Sequence, residues 1–368
     1  MNVACYAVAR TLIAVRLLKL AERCLRSCLE ANPDQVAARQ DLGWVRLQLG
    51  LWEEAAEAYR GTIRAAPTSA SAHFGLGCAL QQLEAHQEAA EMFRRALALG
   101  ATDSLVHYNL GVSLIALGQT PDAVFAYRRA VAIDPANAQA AANLGVTLAT
   151  LGEFEEAVHW QERAFSLDPT SDTARNLGMT LAELDRFQEA ENKFRQALQL
   201  GPSSRDARLD IQVRLAVALA EQDKFDESAT IFDQLAQEGV DDVFTRSALS
   251  MVLLLQGRMV DARESAALAV RMSPDTPDAQ AAMGWVQLAA SEHADALSSF
   301  ERATARNPAD AAALVGKACS LTGLERYAEA TEVFEEVLAE RPHILKRFRQ
   351  YEQYYDRARA AVRESTRH

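Results

Sequence analysis

AQAAANLGVTLATLGEFEEAVHWQERAFSLDPT, residues 138–170, decides the fold. Ala138 to Thr150 is rich in alanine and leucine, with Gly145 its only breaker. Leu151-Gly152 then marks a stop, because glycine accepts the left-handed conformation that ends helices. From Glu153 to Leu167 the apolar residues Phe154, Ala157, Val158, Ala164 and Phe165 fall at helical spacing. Asp168-Pro169 closes the stretch, since a residue before proline avoids the helical region. The reading is two short helices joined by a tight turn.

The same pattern recurs along all 368 residues. Prolines stand at Pro33, Pro67, Pro135, Pro169, Pro202, Pro274, Pro308 and Pro342, mostly 34 residues or a multiple of 34 apart. A second column runs Ala21, Ala55, Ala89, Ala123, Ala157, Ala190, Ser228, Ala262, Ala296 and Ala330. Gly43, Gly77, Gly111, Gly145, Gly178 and Gly284 recur in the first helix of each unit. Tyr59, Phe93, Tyr127, Phe194, Phe232, Phe300 and Phe334 share a position in the second. Glycine inside a helix costs about 1 kcal/mol against alanine, so its recurrence predicts close approach of two helix backbones. Self-similarity at this period is the mark of stacked helical repeats. The columns divide the chain into about ten units, near 2–35, 36–69, 70–103, 104–137, 138–170, 171–204, 209–242, 243–276, 277–310 and 311–344.

On these residues, above all Leu110-Gly111, Ala123, Tyr127, Ala130 and Pro135 and their counterparts Leu144-Gly145, Ala157, Ala164 and Pro169, the chain resembles the tetratricopeptide repeat (TPR) family. The resemblance covers about residues 2–344. It implies an all-α, right-handed superhelical solenoid of about ten helix-turn-helix repeats, with the first helix of each pair lining an inner groove. It also implies a protein that binds peptides, extended segments or other proteins, or builds assemblies.

Arg205-Asp206-Ala207-Arg208 is inserted between the sixth and seventh units, where Ala216, Ser228 and Val240 replace the usual glycine, alanine and proline. Ser250 and Ala266 depart from the pattern in the next unit. This predicts a seam between an N-terminal subarray, 1–204, and a C-terminal one, 205–344, with a first helix after the seam that begins near Ser204 and runs long. Residues 345–368 carry Lys346, Arg347, Arg349, Arg357, Arg359, Arg363 and Arg367. They are expected to form a capping helix, since a terminal repeat needs a polar outer face. The sharper alternative is a basic tail that anchors a partner through Phe348, Tyr351, Tyr354 and Tyr355.

The net charge of −12 argues against nucleic acid or an anionic membrane as the main partner. No apolar run reaches the roughly 18 residues of a membrane span. Five cysteines show no disulfide framework, which points to a reducing, cytoplasmic compartment. Cys5, Cys24 and Cys28 have no evident fourth ligand, so no metal is expected. No phosphate loop or nucleophile signature appears, so no cofactor and no catalysis are expected.

Asn109, Asn143 and Asn176 each precede a Leu-Gly pair and share one column. A row of amides, which donate and accept, can pair with the backbone of an extended peptide. The repeat region of O-linked N-acetylglucosamine transferase is similar in bearing such a ladder. Asp41 extends the column and Gly75 interrupts it. Asp172, Asp210 and Asp278 in one column, with Glu183 and Glu221 in another, would make the groove acidic and suit a basic segment unless Arg175 and Arg214 neutralise them. His73 and His107 are read as packing residues. The expected function is a non-catalytic scaffold or adaptor that holds a protein or peptide. The alternatives are the recognition part of a glycosyltransferase-type enzyme whose catalytic domain is another chain or a lost extension, and a self-assembling structural element. The first helix, apolar at Val8, Leu12, Ile13 and Val15, is expected to be covered by self-association, a partner or further repeats.

Overall fold

The computed structural model describes residues 2–341, 345 and 351–365. Pro342, Lys346, Arg347, Phe348, Arg349 and Arg367, which the sequence reading singled out, lie outside the described residues. The chain divides into two compact units, Met1–Leu184 and Asp185–His368. Every regular element among the described residues is a helix.

In the first unit these are α1 (Asn2–Ala14), α2 (Leu18–Ala31), α3 (Val36–Gln48), α4 (Trp52–Ala65), α5 (Ala70–Gln82), α6 (His86–Ala98), α7 (Ser104–Ala116), α8 (Thr120–Ile133), α9 (Ala138–Thr150), α10 (Phe154–Leu167) and α11 (Ser171–Glu183). In the second they are α12 (Phe187–Gln199), α13 (Arg205–Ala220), α14 (Phe225–Gln237), α15 (Val243–Leu255), α16 (Met259–Met272), α17 (Pro277–Ala289), α18 (His293–Arg306), α19 (Ala311–Gly323), α20 (Tyr327–Glu340) and α21 (Glu352–Ser365). Consecutive helices pack as pairs, α1 with α2 through α9 with α10 in the first unit and α13 with α14 through α19 with α20 in the second, and within each unit each pair leans on the next. This is an all-α repeat stack, and α21 closes it against α19 and α20.

One left-handed residue ends the first helix of every pair. In the first unit these are Arg16, Gly50, Glu84, Gly118 and Gly152; in the second they are Asp185, Asp223, Gly257, Ser291 and Glu325. Six of these ten are not glycine, so the column is invisible as a residue type although it recurs as a conformation. Helix starts are built by side chains: Asn137 accepts from the Ala140 amide, Ser204 from Ala207 and Asp242 from Thr245.

The aromatic column is the core. Tyr127, Phe93, Phe194, Phe232, Phe300 and Phe334 are fully buried. The glycines make room for these rings. A Cβ on Gly77 would stand 2.6 Å from Phe93, on Gly111 2.6 Å from Tyr127 and on Gly284 2.9 Å from Phe300. At Gly145 the added carbon would meet the Gln161 Cγ at 2.5 Å first, and then the Ala157 carbonyl and the Gln161 backbone amide at 3.1 Å, so the backbone approach expected from sequence adds to side-chain packing there.

At the proposed seam, Ser204 caps α13, which runs 16 residues against 13 in α12 and α14. The hydroxyls of the two off-pattern serines bridge their helix pairs: Ser228 donates to the Ala216 carbonyl at 2.7 Å and Ser250 to the Ala262 carbonyl at 2.8 Å. The tyrosines of the tail serve the cap rather than stand free. Tyr351 packs on Trp285 and Tyr355 on Phe334, with ring centroids 4.9 and 5.1 Å apart.

Candidate functional site

In the first unit the first helices adjoin in series, α3 against α5 and α5 against α7. Between them lies an open groove of about 680 Å³, well within the range of ligand sites. Its walls follow from the packing just described. The Tyr59 ring comes up from α4 between Gly43 and Gly75, and a Cβ at Gly75 would stand 2.2 Å from it. Glycine therefore interrupts the asparagine column because a ring occupies that space. Trp44 is exposed, and Trp52 and Phe74 are half-buried around the same opening.

Amides line the rest: Gln40, Gln48, Gln81, Gln82 and Asn109. Gln81 donates from Nε2 to the Asn109 carbonyl at 3.1 Å and to Ser113 Oγ at 3.0 Å. Asn109 donates from Nδ2 to the Leu105 carbonyl at 2.9 Å. A carbonyl only accepts, so these contacts fix the amide orientations: the nitrogens are engaged within the protein, while Gln81 Oε1 and Asn109 Oδ1 receive no hydrogen bond from the described residues. Gln40 Oε1 accepts from Ser71 at 3.2 Å.

Among the described lining residues Asp41 is the only one with a formal charge. The Tyr6 hydroxyl of α1 donates to its Oδ2 at 2.7 Å. Burial, and then this bond, push the Tyr6 phenol up to about 12. Burial likewise raises the Tyr59 phenol and pushes the Cys78 thiol up to about 12, so both are neutral and Cys78 is no nucleophile at pH 7.

The residues singled out from sequence fall in several places. Asn109 sits at the edge of the groove, whereas Asn143 and Asn176 do not line it. Asn143 Nδ2 lies 3.5 Å from the Tyr127 hydroxyl, and Asn176 Oδ1 lies 3.5 Å from Arg175. Asp172 is paired with Arg175 at 3.4 Å and, in the second unit, Asp210 with Arg214 at 3.0 Å. These two acids thus have a cation beside them, whereas partial desolvation, and then Asp310, raise the Asp278 carboxyl above its ordinary value. The groove residues Gln40, Trp44, Trp52, Phe74 and Gln81 were missed. The available signal was a cluster of aromatics and glutamines in two consecutive first helices. His73 is buried and its Nδ1 lies 2.9 Å from the Ser69 carbonyl, while burial and then Arg129 lower the His107 imidazole pKa. Among the described residues, no group of three or more His, Cys, Asp or Glu could hold a metal ion, and no helix is long and apolar enough to cross a membrane.

The chain belongs to the tetratricopeptide repeat family. One family model, described as tetratricopeptide repeat, matches residues 6–70, 41–104, 108–172, 213–277 and 281–343, and another of the same description matches 181–244. No curated protein matches the chain. Among solved structures it is similar to YrrB, a TPR protein with an unusual peptide-binding site, at 24% identity and TM-score 0.45, over 50% of this chain and 95% of that one. PilW, a type IV pilus biogenesis factor, aligns at 19% identity and TM-score 0.50, over 56% and 96%. Yeast Tom70 aligns at 14% identity and TM-score 0.49, over 98% and 96%. Repeats of this family make a protein-interaction scaffold, a fold that is typically non-catalytic.

Proposed function

We propose that this chain is a non-catalytic scaffold that holds an extended segment of a partner protein in the groove between α3, α5 and α7. The observation that carries the reading is the groove itself: about 680 Å³, open, walled by three first helices and lined by aromatic rings and amides. Rings give apolar contact, and amides match a peptide backbone whatever its sequence. Asn143, Asn176, Asp172 and Arg175 extend the same binding face along α9 and α11. Asp210 and Arg214 offer a charged pair on α13 in the second unit. The first helix and the turn after it supply a further contact surface for self-association, since Val8 and Val15 are exposed.

Selection of random 12-residue peptides displayed on phage tests the groove. Wild-type protein should enrich a set of peptides, and Trp44→Ala with Phe74→Ala should lose them while helicity is retained. Peptides that bind the double variant as well as the wild type would refute this site.

A further inference from the structure

We infer that the groove between α3, α5 and α7 selects a segment carrying an arginine side chain, with the guanidinium at Asp41 beside Trp44. This deepens the reading of the groove as a segment-binding site and rests on it.

Charge comes first. Among the described residues that line the groove Asp41 is the only one with a formal charge, and none of them is a lysine, arginine or histidine. Two other first-helix acids are already matched, Asp172 by Arg175 and Asp210 by Arg214, and Asp278 lies beside Asp310 rather than in this groove. The nearest group bound to Asp41 is the neutral Tyr6 hydroxyl, which engages Oδ2 alone.

Hydrogen-bond capacity points the same way. Gln81 Nε2 donates to the Asn109 carbonyl and to Ser113 Oγ, and Asn109 Nδ2 donates to the Leu105 carbonyl, which turns the two amide oxygens outward and leaves them open. Together with Asp41 they give three side chains whose oxygens can receive donors, while the amide nitrogens of Gln40, Gln48 and Gln82 are left to pair with the backbone of the segment. Guanidinium carries five N–H donors and no acceptor. It is also planar and weakly hydrated, so it stacks on an aromatic face in a way that ammonium does not. Trp44, 41% exposed, and Trp52 supply such faces in the same opening. An acidic or phosphorylated segment would meet the Asp41 carboxylate with no cation among the described lining residues to offset it.

The test uses the full chain and the acetylated, amidated heptapeptide Ala-Ser-Ala-Arg-Ala-Ser-Ala, with counterparts bearing citrulline, lysine or glutamate at the centre. Binding is read from the indole N–H resonances of Trp44 and Trp52. The arginine peptide should bind about tenfold more tightly than citrulline, which keeps the shape and loses the charge. Lysine should fall between them, and glutamate should not bind. Asp41→Asn should erase the preference. Tyr6→Phe, which removes the phenol and keeps the carboxylate, should retain it, so that a disturbed α1 is told apart from a lost charge. Equal binding of arginine and citrulline, or a preference that survives Asp41→Asn, overturns the arginine assignment and leaves the segment-binding groove standing. Failure of every peptide also overturns it, and the phage selection then decides separately whether the groove binds segments at all.

Discussion

Ala157 and Gly145 show what a single residue does in this stack. Ala157 is fully buried, and its carbonyl is one of the atoms that a Cβ on Gly145 would meet. Ala157→Leu should therefore overpack the α9–α10 pair and cost about 1–3 kcal/mol, read as a fall in urea midpoint. An unchanged midpoint would refute the register of the pair. Gln161 occupies the aromatic column beside them, is buried, and keeps an Oε1 with no hydrogen-bond partner. Gln161→Met keeps the volume and removes the orphan oxygen, so it should raise stability by about 1 kcal/mol in the same titration. The small-residue columns were legible in the sequence, but their cause was not. A column shows that space is needed, and only the packed structure shows whether a ring or a backbone fills it. The serines at 228 and 250 carried the opposite error: read as lapses, each is a buried hydroxyl donating to the facing helix.

At the scale of the element, helix limits followed closely where glycine and proline mark them, as in α9 and α10, and the left-handed ends at Arg16, Glu84 and Ser291 escaped because conformation there is not written in residue type. The α1 helix read as apolar all round. In the structure Tyr6, Leu12 and Ile13 pack inward while Val8 and Val15 stay exposed. In the second unit, α12 is tied to the start of α14 by Glu191, a buried carboxylate that accepts from Lys224 at 2.7 Å, Gln222 at 2.9 Å and Arg195 at 3.0 Å. Burial opposes its charge, but these donors prevail and hold Glu191 below the ordinary carboxylate range. A folded value below the unfolded one means that the stabilisation is present above about pH 4.5 and is lost as the pH falls through the folded value. Glu191→Gln should cost about 1–3 kcal/mol at pH 7, tempered by the partial exposure of its cations, and the gap from wild type should narrow by pH 4. Equal urea midpoints at pH 7 would show that the cluster carries no stability.

At the scale of the whole molecule, the repeat fold was written in the 34-residue columns, because each unit repeats the same packing problem and solves it with the same small and large residues. The candidate groove was less legible. It is assembled from three repeats, and its shape depends on the Tyr59 ring that displaces the asparagine column at Gly75, which no single repeat reveals. The subarray boundary proposed at 204/205 predicts limited trypsin fragments ending at Arg205 or Arg208; an end at Arg186 would move it to where the two compact units part. The central claim is that the groove between α3, α5 and α7 receives a partner segment. Hydrogen exchange of the full chain, with and without a phage-selected peptide, tests it most directly. Added protection should centre on residues 36–48, 70–82 and 104–116; protection confined to the second helices or to the second unit would contradict it.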